Sequence, residues 1–193
     1  IETVELAGRL VVPGFVDAHV HPVTGGLERL RCDLTGAVDL AAALATIRAF
    51  AAGGRAGGEW VLGGGWSMET FPGGTPRART LDELVGDRPA FLPNRYHHSA
   101  WVSSAALRLA GISAVTPDPP GGRIEREADG TPSGTLHEAA MDLVGRLVPT
   151  PDDAELDAAL AEAQRHLLSL GVTGWQDAIL GEYAGMVDAT EAY

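Results

Sequence analysis

The chain has 193 residues, and 26 carboxylates against 14 basic residues, every one of them arginine, give a formal net charge of −12. That acidity repels phosphate backbones and anionic lipid, so nucleic acid and membrane are excluded as partners, and the lack of lysine excludes Schiff-base and Walker-A chemistry. Cys32 stands alone, which rules out an internal disulfide and a multi-cysteine zinc site. No apolar run approaches the ~18 residues of a membrane span and no signal-peptide pattern opens the chain, so the expected location is cytoplasmic. The sequence begins at Ile1 rather than Met, which reads as a piece of a longer polypeptide.

In chain order, Thr3–Leu6 and Arg9–Val12 read as strand-like, and Pro13-Gly14 as a turn into a second strand, Phe15 to His21, closed by Pro22. Leu40, Leu44, Ile47 and Ala51 recur at helical spacing, with Asp39 as N-cap and Gly53-Gly54 as the stop. Glu59–Leu62 and Pro89–Leu92 read as short strands, and Thr80-Leu81-Asp82-Glu83 as a capping box opening a helix between them. A helix is expected from Ser103 to Ala110 with Gly111 at its end, then a hairpin over 123–135 around Asp129-Gly130. Thr150 as cap and Pro151 at the first helical position predict a helix striped by Leu156, Leu160, Ala163, Leu167 and Leu170. Gly171 ends it, and Val172–Asp177 reads as a buried strand. Helix, glycine, strand is the grammar of a parallel sheet, so the class is α/β.

His19-Val20-His21 is the main constellation. Residues i and i+2 of a strand share a face, so both imidazoles project together with Asp17 from a strand C-terminus, at a spacing that lets them share one divalent ion such as zinc. The plain alternative is a solvated histidine pair. Gly63-Gly64-Gly65 lacks dinucleotide-fingerprint spacing and reads as close backbone packing, and no Gly-x-Ser-x-Gly elbow is present.

The stretch Val11-Val12-Pro13-Gly14-Phe15-Val16-Asp17-Ala18-His19-Val20-His21 resembles the first barrel strand of the amidohydrolase superfamily. Gly63-Gly64-Gly65-Trp66, Asp87–Leu92, His98–Val102, Ala105–Leu107, Gly134–Ala139 and Gly171–Thr173 then follow in the order seen in amidohydrolase family 3, the group of enzymes resembling N-substituted formamide deformylase. His97 stands where that family usually has glycine, and Ser103 where it usually has asparagine. The resemblance implies part of a metal-dependent hydrolase (β/α)₈ TIM barrel: residues 1–13 as the end of a small β-sandwich, 14–22 as barrel strand 1, 23–149 as a long α/β insertion, and 150–193 as the start of the remaining barrel. A complete barrel needs about 250 residues, so this would be only its N-terminal portion.

By the same resemblance the activity is hydrolysis of an amide-type C–N bond by a metal-activated water, with one or two divalent ions, zinc by preference, and a small-molecule amide as partner. His19 and His21 would be ligands, with Glu138 a third candidate against a plainer and slightly favoured reading as a helix first-turn acid. His98 and Trp66 are the candidate substrate contacts, against plainer readings as an exposed polar residue and a core indole. Asp177 reads as a pocket residue or a helix cap, His137 as surface, His166 as solvated or structural, and Cys32 as a small buried hydrophobe. The general base would lie beyond Tyr193, and the metal bridge would either lie there too or be a carboxylate such as Glu138, which predicts that these residues alone are inactive. The alternatives are a His-x-His phosphoesterase and a non-catalytic module with a vestigial metal pair; a homodimer is compatible with either enzyme.

Overall fold

In a computed structural model the described residues are 3–53, 60–181 and 188–193. β1 (Phe15–Val20) runs into α1 (Pro22–Leu30), and after β2 (Cys32–Asp33) comes α2 (Leu40–Ala52). The chain continues through β3 (Val61–Gly64), α3 (Ala78–Val85), β4 (Ala90–Pro93), β5 (Ser99–Val102) and α4 (Ser104–Leu109). β6 (Gly122–Arg126), β7 (Pro132–Glu138), α5 (Asp142–Gly145), α6 (Asp153–Ser169) and β8 (Val172–Asp177) complete it. The result is a mixed α/β fold in which no helix among the described residues is long and apolar enough to cross a membrane.

Two sheets form. β1 and β8 pair in parallel, with Val20 opposite Asp177. Between them in sequence lies a six-stranded mixed sheet of order β2-β3-β4-β5-β7-β6, parallel from β2 to β4 and antiparallel thereafter. Strand alternation sends its side chains to two cores. Leu81, Ile47, Leu92 and Trp101 pack under α2 and α3, whereas Val102, Leu107, Leu136 and Val144 pack under α4 and α5. A third cluster of Val23, Leu156 and Ala159 joins α1 to α6.

Local chemistry explains most element boundaries. Asp39 accepts the Ala42 N–H at 2.8 Å, which puts the predicted cap in place, and Ser103, at the expected start of a helix, accepts that of Ala106 at 3.2 Å as its cap. Ser103 Oγ also accepts the Ala90 N–H and donates to the Arg88 carbonyl, tying α4 to β4. The glycine run is a packing device as expected: a Cβ on Gly63 would sit 2.2 Å from the Cys32 carbonyl oxygen.

Several expectations are corrected. Residues 3–14 form no strand, and Leu10 and Val11 are 86% and 68% exposed, because no described strand lies beside them to complete a ladder. α3 starts at Ala78, and Asp82 of the expected capping box instead accepts the Ser104 N–H at 2.8 Å and its hydroxyl at 2.6 Å. α6 starts at Asp153 because Asp152 and Glu155 form a reciprocal capping box, which outcompetes Thr150-Pro151. Leu170 falls off its apolar stripe at 58% exposure. Gly54 and Glu59 lie outside the described residues.

α1 was not anticipated at all. Pro22 occupies its first turn, but Gly25-Gly26 weakens the helical signal. The two glycines serve different ends. A Cβ on Gly26 would stand 1.9 Å from the Ala159 carbonyl oxygen, whereas one on Gly25 would meet nothing within 4 Å. Gly26→Ala is therefore expected to destabilise the protein by about 1–3 kcal/mol through overpacking of the α1–α6 contact. Gly25→Ala is expected to stabilise it by about 0.5–1 kcal/mol through reduced backbone entropy of the unfolded chain. Urea unfolding of the two variants checks both signs.

Candidate functional site

The parallel pairing of β1 and β8 sets the geometry. His19 and His21 leave the C-terminal end of β1, and Asp177 leaves the matching end of β8. Asp17 Oδ1 accepts the His19 N–H at 3.0 Å, bracing the strand end. The two imidazole centroids are 5.4 Å apart with their planes at 76°. Two imidazoles sharing one tetrahedral ion at ~2.0–2.1 Å place their centroids on the order of 5 Å apart, so the pair fits a common metal.

His21 carries a second signature. Its Nδ1 is buried and has no hydrogen-bond partner among the described residues, with Asp177 Oδ1 3.8 Å away. Leaving such a nitrogen dry and unpaired costs roughly 1–3 kcal/mol, an expense that functional sites tolerate. Asp177 is itself held, accepting the Ile179 N–H at 3.0 Å on Oδ1 and the Tyr193 hydroxyl at 2.6 Å on Oδ2. Burial, reinforced by the hydrogen bond to Asp177 and its charge, raises the Tyr193 pKa. No helix follows Asp177 directly, so it is a cavity residue and not a helix cap.

A cavity of about 970 Å³ opens beside His21, between α1 and the six-stranded sheet. α1 contributes His21, Thr24, Glu28 and Arg31 at spacings of three, four and three, one helical face. His97 and Glu138 face it from the sheet side, and both hold positive φ, +59° and +50°, a conformation costly to side chains with a Cβ. Polar contacts hold both: His97 Nε2 is 3.1 Å from Glu28 Oε1, and His98 Nδ1 is 3.1 Å from Glu138 Oε1. A smaller adjoining space of about 200 Å³ shares His21 and Arg31 and adds Asp177.

The other expected residues are distributed differently. Glu138 shares the cavity with His21, but no group of three or more His, Cys, Asp or Glu among the described residues is placed to hold an ion. The chain thus presents a histidine pair, with Glu138 engaged by His98. His98 is exposed and acts on the cavity through that contact. Trp66 is 1% exposed, donates its indole N–H to the Leu92 carbonyl at 2.7 Å and stacks edge-on against Phe71, which places it in the core and off the cavity wall. His137 is not a surface residue: it sits between Ser99 Oγ at 2.8 Å and Glu125 Oε1 at 3.1 Å. Cys32 is buried as expected, and burial pushes its thiol up to about 12.

Arg31, Glu28 and His97 were not picked out as site residues. Their signal was the His21-Thr24-Glu28-Arg31 spacing, legible only once α1 is known to be a helix. The hydrogen bond that His97 donates to Glu28 raises the His97 pKa above its ordinary value, against a smaller opposing effect of burial. With the folded-state pKa raised, the contact contributes fully below the unfolded value of ~6.5 and is lost as pH rises through the folded value. Between about pH 6 and pH 9, wild-type stability is expected to fall more steeply than that of His97→Gln. Urea midpoints across that range check it; parallel profiles would show that the contact contributes nothing.

Comparison with known proteins places this geometry. The amidohydrolase family model matches residues 2–193. The chain is 37% identical to the Protein LONG AFTER FAR-RED 3 of Arabidopsis thaliana, over 93% of this chain and 30% of that one. It is 34% identical to the N-substituted formamide deformylase of Arthrobacter pascens, over 93% of this chain and 34% of the other. The fold resembles the crystal structure of an uncharacterized metal-dependent hydrolase from Pyrococcus horikoshii OT3, with a TM-score of 0.58 and 23% identity over 93% of this chain and 32% of that one. The chain thus spans about a third of the length of the curated relatives it matches. With its His-x-His strand and the family model aligned along nearly its whole length, this chain belongs to the amidohydrolase family, in the family 3 branch.

Proposed function

We propose that this chain carries the first two ligands, His19 and His21, of a divalent metal site in a hydrolase that cleaves an amide-type C–N bond. The observation that carries the reading is the pair of histidine rings with centroids 5.4 Å apart at the C-terminal end of a parallel strand, with Asp177 Oδ1 3.8 Å from His21 Nδ1 to orient one of them. Family membership supports hydrolysis, and the deformylase relative supports an amide as substrate. Two imidazoles suit zinc, and an ion bound there would supply Lewis acidity and lower the pKa of water.

The chain's own residues have separable roles. Asp177 stands one small side-chain movement from His21 Nδ1; closing that 3.8 Å gap would fix the Nδ1–H tautomer and turn Nε2 outward as the ligand atom. Tyr193 and the Ile179 N–H keep Asp177 oriented for that contact. The cavity beside His21, walled by Leu62, Phe91 and Pro93, would receive a small amide and shield it from bulk water. In this reading β1 and β8 are the first two strands of a barrel, residues 23–149 the insertion between them and residues 1–13 the end of a β-sandwich.

Equilibrium dialysis against zinc tests the ligand pair. His19→Ala and His21→Ala should each weaken zinc uptake at least about tenfold, while His166→Ala, on α6 away from the pair, should bind as wild type. Equal uptake by all four proteins would contradict the assignment. In a polypeptide of the relatives' full length, zinc-dependent hydrolysis of N-alkyl formamides should disappear with either substitution. The 193 residues alone, with two ligands, should show none; cleavage of phosphate esters in place of amides would overturn the reaction class.

A further inference from the structure

Two arginines line the larger cavity, Arg31 and the exposed Arg146, and the histidine pair explains neither. Arg31 lies where α1 ends, its backbone N–H closing the helix onto Leu27 and Glu28. Its side chain lines both the larger and the smaller space, as His21 does. A guanidinium carries five N–H donors. Among the described residues that of Arg31 makes no hydrogen bond; its carboxylate neighbour Glu155 is 3.9 Å away and 53% exposed. Burial lowers the Arg31 pKa, which is the mark of a cation held partly out of water.

Glu155 and Glu28 act on Arg31 through their charge and Asp142 also lines the larger space, but three acids of the two spaces hold other partners. Glu28 is paired with His97, Glu138 with His98, and Asp177 with Tyr193 and the Ile179 N–H. In a chain of net charge −12, a half-buried cation that lines a cavity, held by one long ion pair and by no side-chain hydrogen bond among the described residues, is a site for an anion from outside. We propose that Arg31 anchors a carboxylate at the far end of the substrate, so that the cavity selects amides bearing a remote anionic group. The proposal rests on the reading of His19 and His21 as the reacting end.

The helix fixes the span. Ten residues separate His21 from Arg31, about 15 Å between their Cα atoms along α1. With both side chains reaching into the shared space, on the order of 10 Å remains, which an extended chain of roughly six to eight bonds covers. An N-acyl α-amino acid is too short for that distance. An N-acyl ω-amino acid, with its carboxylate several methylenes from the amide, fits it.

The test is calorimetric titration of the metal-free polypeptide with 6-formamidohexanoate and with its neutral carboxamide. The acid should bind and the carboxamide should not; Arg31→Gln should weaken the acid at least about tenfold, and Arg31→Lys by less. Circular dichroism of both variants should match wild type. Equal binding of acid and carboxamide, or an unchanged Arg31→Gln, would overturn the anchor. Imidazole NMR reads the span: the six-carbon acid should move the His21 ring resonances, whereas N-formylglycine should leave them in place. Equal movement by both would overturn the length argument. Zinc failing to bind while the acid still binds through Arg31 would sink the metal reading and leave the anchor standing.

Discussion

The parallel pairing of β1 with β8 is the constraint on which the rest depends. Parallel neighbours cannot be joined by a hairpin, so the chain must leave β1 and return through a crossover before Asp177 can stand beside His21. Here the crossover is long enough to contain a second, six-stranded sheet with its own two cores. What brings the ends back is the packing of α1 on α6, where the absence of a side chain on Gly26 lets the Ala159 carbonyl approach. A change at that contact would be felt at His21, the residue that caps α1.

The same pairing leaves surface uncovered. Parallel strands are normally buried on both faces, yet Phe15 and Val16 of β1 are 60% and 75% exposed. The chain spans about a third of its relatives, and the proposed barrel, with further strands beside β1 and β8, would account for that apolar surface. The six-stranded sheet needs no such completion, since both of its faces already carry helices. It supplies the other wall of the cavity and, through His97 and Glu138 at positive φ, the residues whose backbone is held in costly conformations there.

Legibility in the sequence followed the range of the physics. Period-two spacing put His19 and His21 on one strand face, and a single side-chain cap marked α2, because both are local. α1 was hidden because Gly25-Gly26 reads as a loop, although one of those glycines is there to admit another helix. Trp66 after three glycines suggested an open cleft, whereas the glycines bring backbones so close that the indole is driven inward. Leu10 and Val11 have strand-like character with no strand beside them among the described residues, and no local pattern reports whether a partner strand is there. The cavity residues Glu28, Arg31 and His97 come together only through tertiary packing, so no single stretch announces them.

The central claim is that His19 and His21 act as one metal-binding unit. Imidazole proton–nitrogen correlation spectra recorded during a zinc titration address it directly, because each histidine ring reports separately on its own nitrogens. The account predicts that the His19 and His21 rings respond together at the lowest zinc concentrations, while His97, His98, His137 and His166 stay in place. First response at His98 or His137, with the β1 pair unmoved, would contradict it.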